Sequence, residues 1–334
     1  MSETISLADA HALAVAALVA GNTSTANAQH VANALIGAEA DGLASHGLSR
    51  VAAYADQAKA GKVAGHAVPV LNKTAPGALF VDAKDGFAYP AIAAALGEGA
   101  AMAKHAGVVA VGIGNSHHFG AAGLHVEAAA KAGLVALLFG NSPAAIAPWG
   151  GSAALFGTNP IAFACPRANK APLVIDLSLS KVARGKIMVA AQKGEAIPEG
   201  WALDTEGKPT TDAKKALAGT MLPLGDAKGA ALVLMVELLS AALTASHFGF
   251  EASSFFDAKG PPPRVGQLFL LIDPARFAGD AFASRVETLL GAILGQAGTR
   301  LPGDRRLKLR AAAASGGIKV PSDLLADLRK RAAG

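Results

Sequence analysis

The chain has 334 residues, 52% of them hydrophobic and only 16% charged, which gives it the apolar surface for a large core and excludes a disordered chain. A net charge of +5 would admit a nucleic-acid partner. However, the positive residues gather near the C-terminus (Arg300, Arg305, Arg306, Lys308, Arg310, Lys319, Arg329, Lys330, Arg331) without a helix-turn-helix, zinc-finger or RNA-binding signature, so a solvated basic tail is expected, with Arg305 and Arg306 meeting an anionic cofactor as the second possibility.

From Ser6 to Gly61, Ala, Val and Leu recur at helical spacing, with Ser24 as one helix start. Residues 68–85 read as strands around the Ala75-Pro76-Gly77 turn, and Pro90 to Ala106 as a helix. A buried strand over Gly107–Ile113, a helix over Gly120–Ala132 and a strand over Leu134–Phe139 follow. Ile161–Cys165 and Leu173–Ile175 read as strands, and the polar, turn-rich run Pro198–Leu217 as an excursion from the core. Lys228 to Ser246 is helical. Its apolar part, Gly229–Ala245, is short for a membrane span and is interrupted by Glu237, so it reads as a buried core helix. Lys259-Gly260-Pro261-Pro262-Pro263 is a rigid loop. A strand over Leu268–Ile272 and helices over Phe282–Gln296 and Ser322–Arg331 complete the chain.

Cys165 is the only cysteine and sits in an apolar run, so it reads as a structural residue in a reducing compartment. The start, Met1-Ser2-Glu3-Thr4, lacks the basic and apolar segments of a signal peptide, and a cytoplasmic location is expected.

Generic nucleotide motifs are incomplete. Gly112-Ile113-Gly114 follows a strand, but His117 stands where the third glycine of a dinucleotide fingerprint belongs. Asp226-Ala227-Lys228-Gly229 lacks the upstream glycine and the following Ser or Thr of a phosphate loop.

Three constellations could carry chemistry. In a helix, His46, Arg50 and Tyr54 would fall on one stripe, where Arg can hold a carboxylate through a bidentate pair and His can handle a proton; an ordinary polar face is the plainer reading. Asn115-Ser116-His117-His118-Phe119-Gly120 sits at a strand-to-helix junction, an exposed place on a rigid scaffold. Zinc is not expected there, because adjacent histidines point apart and no Cys or Glu stands at ligand spacing. Thr158-Asn159-Pro160 precedes Asp176-Leu177-Ser178, where Asp176 ends a strand and either orients a histidine or caps a helix.

Taken in order, these segments resemble the type-2 malate/L-lactate dehydrogenase family, which includes sulfolactate, ureidoglycolate and diketogulonate enzymes and the Δ1-piperideine-2-carboxylate/Δ1-pyrroline-2-carboxylate reductases. The stretches that carry the resemblance are Asp41 to Arg50, Asn115 to Gly120, Pro148-Trp149-Gly150-Gly151 through Leu155 to Pro160, Asp176 to Ser180, Lys228-Gly229 and Leu301 to Arg306. They span nearly the whole chain.

The resemblance implies an α/β (α+β) fold that binds NAD(P) without a Rossmann unit. A mostly antiparallel sheet domain (115–297) would bind the cofactor, and a helix-rich unit (1–114 plus 298–334) would carry substrate and dimer contacts. It implies a homodimer, NADH or NADPH as cofactor, a small carboxylic acid as substrate, and neither membrane nor nucleic acid as partner. His46, His118 and Asp176 become the candidate catalytic residues. Ser45, Arg50, Tyr54, Thr158 and Arg184 become the substrate contacts. Asn141, Leu177, Ser178, Lys228, Asp304 and Arg306, with His118 and Asp176, become the cofactor contacts.

One departure concerns the substrate. The imine reductases of the family have a Trp-containing segment where this chain has Asp257 to Arg264, and tend to have His where it has Arg184. Arg184 and Lys186 suit a second anionic group, with solvated helix-surface charges as the commoner alternative. The expected reaction is therefore reduction of a 2-oxo acid to a 2-hydroxy acid, with cyclic 2-imino acids as the alternative.

Overall fold

The computed structural model describes residues 1–334. Strand β1 (Ser2–Ile5) leads into helices α1 (Leu7–Ala20), α2 (Thr25–Ala40) and α3 (Val51–Lys59). The hairpin β2 (Val70–Ala75) and β3 (Ala78–Asp82) precedes α4 (Ala88–Ala106), β4 (Val108–Ser116), α5 (Ala122–Lys131) and β5 (Val135–Gly140). A second hairpin, β6 (Ile161–Arg167) and β7 (Lys170–Leu177), is followed by α6 (Arg184–Lys193). The polar excursion folds as the short strands β8 (Ala202–Leu203), β9 (Pro209–Thr210) and β10 (Thr220–Met221) with α7 (Ala213–Ala218). Then come α8 (Asp226–Glu237), β11 (Val265–Ile272), α9 (Ala281–Leu294), α10 (Asp304–Gly316), β12 (Ile318–Pro321) and α11 (Ser322–Ala332).

Seven strands form the central sheet in the order β2-β3-β4-β11-β5-β6-β7, and only β3 and β4 pair in parallel. The fold is therefore a mixed α/β architecture around a mostly antiparallel sheet. Strand β11 lies mid-sheet and is buried along nearly all of Val-Gly-Gln-Leu-Phe-Leu-Leu-Ile, which is why it reads as an apolar run rather than an alternating one. Residues 70–116 supply three of the seven strands, so the sheet reaches back into the segment that the sequence reading gave to the helical unit. Gly112 and Gly114 lie inside β4 and form no phosphate turn.

Helices α4 and α5 cover one face of the sheet around a core that includes Ile92, Val111, Val126 and Phe269. The other face carries α8 and a π-helical turn, Leu238–Ala242, with Val233, Val236 and Leu268 inside. A third core joins the two ends of the chain: β1 pairs with β12, α1 packs on α2 and α11, and Leu18, Leu35, Val51 and Leu328 meet there. Ser6 and Ser24 start α1 and α2 by accepting the N–H of Asp9 and Asn27 at 3.1 and 3.3 Å, replacing bonds the helix cannot supply to its own first turn.

Two sequence expectations change. The apolar helix is not buried all round: Leu234, Leu238 and Leu243 face outward, while Glu237 is the buried residue. Its carboxylate accepts the side-chain N–H of Asn141 (3.0 Å) and Asn159 (2.6 Å) and the backbone N–H of Gly249 (2.7 Å), which compensates its burial. The basic tail is not simply solvated either. Arg310 makes bidentate pairs with Asp41 (2.7 and 2.7 Å) and Glu127 (2.6 and 2.8 Å), tying α10 to α5 and the end of α2. Burial alone would raise Glu127, but hydrogen bonds from Arg310 and Lys131 carry it down to about 2. No helix is long and apolar enough to cross a membrane.

Candidate functional site

The segment Ala44–Arg50 is not one helix but two 3-10 turns, Ala44–His46 and Leu48–Arg50, separated by Gly47. Gly47 permits the break: a Cβ there would run into the Glu39 carboxylate, which accepts the Leu48 N–H at 2.8 Å. The expected His46-Arg50-Tyr54 stripe therefore does not form, yet the three side chains still converge. Arg50 donates from Nε to the Ser45 carbonyl at 2.7 Å, which folds the Ser45–His46 loop onto the guanidinium. Ser45 Oγ lies 3.1 Å from His46 Nδ1 and leaves Nε2 free of protein partners.

Tyr54 does not face the open site. It is 0% exposed, and its hydroxyl lies 2.5 Å from His118 Nδ1 and 3.2 Å from the Tyr89 hydroxyl. The chain's two tyrosines thus form one buried line behind His118. His118 presents its ring beside His46, with centroids 5.6 Å apart. Its neighbour His117 turns the other way: Nε2 lies 2.7 Å from Gln57 Oε1.

The site disfavours protonated imidazole. Burial, and then the Arg50 charge, lower His46 to about 4. Burial, then the positive charges of Lys62 and Arg50, bring His117 to about 3. His118 is pushed well below the ordinary imidazole range, chiefly by burial and then by Arg50. An anion placed on Arg50 would cancel that repulsion and raise His46 and His118 again.

The expected cofactor residues divide. Asp176, at the end of β7, hydrogen-bonds neither His46 nor His118; its Oδ2 accepts the Gly123 N–H at 2.7 Å in the first turn of α5. A side chain at position 123 would meet Arg306 Nη1 at 2.7 Å, so glycine lets α5, Asp176 and Arg306 close together. Arg306 Nε is buried and lies 3.4 Å from Asp41 Oδ2, an ion pair that lacks hydrogen-bond geometry. Asp304 starts the same helix and accepts the Leu301 N–H at 3.1 Å. Leu177 is exposed beside Asp176, Ser178 Oγ lies 2.6 Å from Ser180 Oγ, and the Thr158 carbonyl accepts the Leu179 N–H at 2.9 Å. The Leu224 N–H bonds the Leu179 carbonyl at 2.8 Å and brings the start of α8, with exposed Lys228, beside this strand. Asn141 is fully buried: its side-chain N–H groups go to Glu237 and the His247 carbonyl, and its Oδ1 accepts the Gly266 N–H.

Arg184 opens α6. A Cβ at Gly185 would touch Ser45 Cβ at 3.8 Å, so the start of α6 abuts the Ser45–His46 loop. Ala183 offers no side-chain cap, and Arg184 is half-buried with one long bond, 3.4 Å, to the Leu217 carbonyl.

The sequence pattern of the malate/L-lactate dehydrogenases matches residues 5–329. The chain belongs to that family. It is 55% identical over 329 residues to a (2R)-3-sulfolactate dehydrogenase (NADP(+)) of Chromohalobacter salexigens, covering 98% of each chain. It is 39% identical over 328 residues to a Δ1-pyrroline-2-carboxylate reductase of Ancylobacter novellus, covering 97% of this chain and 96% of that one. The crystal structure of Δ1-piperideine-2-carboxylate reductase from Pseudomonas syringae pvar. tomato superposes with a TM-score of 0.94 at 40% identity, covering 98% of this chain and 99% of that one. As a member of this family the protein is an oxidoreductase.

Several residues around the histidines carry no motif: Gln57, Tyr89, Phe255, Phe256 and Lys62. Gln57, one turn beyond Tyr54, is the only one that helical spacing would have flagged.

Proposed function

We propose that the protein reduces a small 2-oxo acid carrying a second anionic group to the 2-hydroxy acid, with NADPH as reductant. The observation that carries this reading is the convergence of one guanidinium and two imidazoles, Arg50, His46 and His118, beside the cationic start of α6. The name of the 55%-identical relative supports both the substrate class and NADP(H).

The residues present suit a dinucleotide. Gly225 and Asp226 have successive positive φ values of 65° and 55° at the start of α8, and a Cβ at Gly229 would fall 1.5 Å from the Leu224 carbonyl oxygen. That backbone cradle leaves first-turn N–H groups uncapped beside Lys228, which suits an anion. Ser178, and the Arg306 guanidinium beside Asp176, extend the polar track away from it. Binding here needs no glycine-rich parallel βαβ turn, in keeping with a sheet in which only β3 and β4 run parallel. When bound, the nicotinamide supplies the hydride that reaches C2 of the acid.

This chain's residues do the rest. Arg50 holds the C1 carboxylate through its fork. With Tyr54 donating to Nδ1, His118 keeps its proton on Nε2 and polarises the 2-oxo group. His46, at the open edge with Ser45, delivers the proton to the developing alkoxide and regains one from solvent. Thr158 and Ser45 line the pocket. Arg184, with Lys186, takes the second anionic group. Replacing Arg184 with Gln should lower the kcat/KM ratio of a dianionic over a monoanionic 2-oxo acid by about five- to ten-fold, as expected for one partly exposed charge. An unchanged ratio would remove Arg184 from substrate selection.

We also infer a homodimer. Leu234 on α8, Leu238 in the π-helical turn and Leu243 just past it are exposed apolar side chains that a second copy would cover. Light scattering that gave a monomer mass would contradict this.

A further inference from the structure

Lys62 is 2% exposed, although its side chain ends in a charge. An ammonium has three N–H donors. Here they meet three backbone carbonyls of one loop: Ser254 at 2.7 Å, Asp257 at 2.9 Å and Lys259 at 2.6 Å. The Asp257 carboxylate stands 3.7 Å away. Burying a charge is costly unless it is paired and hydrogen-bonded, so this arrangement ties the loop firmly to the turn that follows α3. Gln57, on α3 itself, donates to the Phe255 carbonyl at 2.9 Å.

The loop has no regular structure of its own between the π-helical turn and β11. Its two aromatic side chains nevertheless sit on the candidate site. Phe255 packs on His118 and His117, with centroids 4.9 and 5.3 Å apart. Phe256, 49% exposed, covers the Arg50 guanidinium at 4.6 Å.

We propose that Lys62 is a positioning residue that tunes recognition of the acid: by gathering the Ser254, Asp257 and Lys259 carbonyls, it sets Phe255 and Phe256 as the wall of the pocket and aims Arg50. This rests on the reading that Arg50 binds the substrate carboxylate. Because the anchor is main chain, the loop's side chains can vary while its position is kept.

The test uses the full-length protein with its preferred 2-oxo acid and NADPH. Lys62→Ala should raise KM for the acid by roughly ten-fold or more, with NADPH affinity within about two-fold of wild type, because the lost contacts lie on the acid side alone. Three carbonyls around a vacated ammonium also make a monovalent-cation cradle. Ammonium or potassium should therefore recover part of the KM, while tetramethylammonium at equal ionic strength should not. A KM within about two-fold of wild type, or a loss that ammonium and potassium leave untouched, would overturn the proposal. If Lys62→Ala does not fold, Phe256→Leu decides the matter, since Phe256 is exposed. It should raise the acid KM alone, and a wild-type KM would overturn the proposal. Arg50→Lys in the same assay separates the two readings. If Arg50→Lys is impaired while the loop variants are not, only the loop's role falls; if Arg50→Lys is also unimpaired, the site reading falls.

Discussion

Replacing His46 with Ala should lower kcat for the 2-oxo acid by roughly a hundred- to ten-thousand-fold, the usual worth of a positioned general acid, with little change in NADPH affinity. Hydride addition to C2 leaves negative charge on oxygen, and His46 Nε2 is the imidazole nitrogen at the open edge of the site with no protein partner. The pH dependence adds a second readout. In the free enzyme, burial and then Arg50 hold His46 near 4, so it is neutral at pH 7. The protonated form needed for reduction is lost as pH rises through that value, and kcat/KM should fall accordingly. Once a carboxylate sits on Arg50, one of the two causes of the depression is cancelled. The limb in kcat, which reports the substrate complex, should then lie at higher pH than the limb in kcat/KM. His118→Ala should also reduce turnover but leave that displaced limb in place. If His46→Ala turns over within about ten-fold of wild type, the proton comes from elsewhere.

Arg50→Lys should cost about 2 to 3 kcal/mol of transition-state binding, roughly 30- to 150-fold in kcat/KM, because lysine keeps the charge but loses the bidentate fork. Lysine also cannot donate from an Nε-type position to the Ser45 carbonyl, the 2.7 Å bond that folds the Ser45–His46 loop. Part of the loss should therefore appear in kcat as well as in KM. Cofactor affinity should hold, since the Arg50 side chain contacts the Ser45 carbonyl and the Phe256 ring and makes no hydrogen bond to Asp176, Lys228 or Arg306. Stopped-flow binding of NADPH beside steady-state kinetics checks both halves, and wild-type kcat/KM in Arg50→Lys would take Arg50 out of the site.

Much of the fold was legible because strong local signals agree with it. The strands at 108–116, 135–140 and 265–272 are apolar runs bounded by turns, and Ser24 marks a helix start that the Asn27 hydrogen bond realises. The short strands β1 and β12 were not legible. They exist by pairing the chain's two ends with each other, and nothing local in four residues announces that. The motifs placed His46, Arg50 and His118 in one site, but helical spacing gave the wrong route for Tyr54, because Gly47 breaks the helix and sends the phenol behind His118. The Asn141–Glu237 pairing was not legible, because a buried amide looks the same in sequence whether it meets a ligand or a buried carboxylate. Lys62, Phe255 and Phe256 had no signal at all. A lysine in the turn after a helix and a turn-rich loop nearly 200 residues later come together only in the tertiary structure.

The central claim is that one carboxylate sits on Arg50 between two imidazoles while Arg184 receives a second anion. It is tested most directly by kcat/KM with NADPH across 3-sulfopyruvate, oxaloacetate, pyruvate and Δ1-piperideine-2-carboxylate, followed by nicotinamide absorbance with NADH in parallel. The account predicts that the two dianionic 2-oxo acids exceed pyruvate and the cyclic imine by about ten-fold or more. A preference for the imine, or equal rates on pyruvate and the dianions, would contradict it.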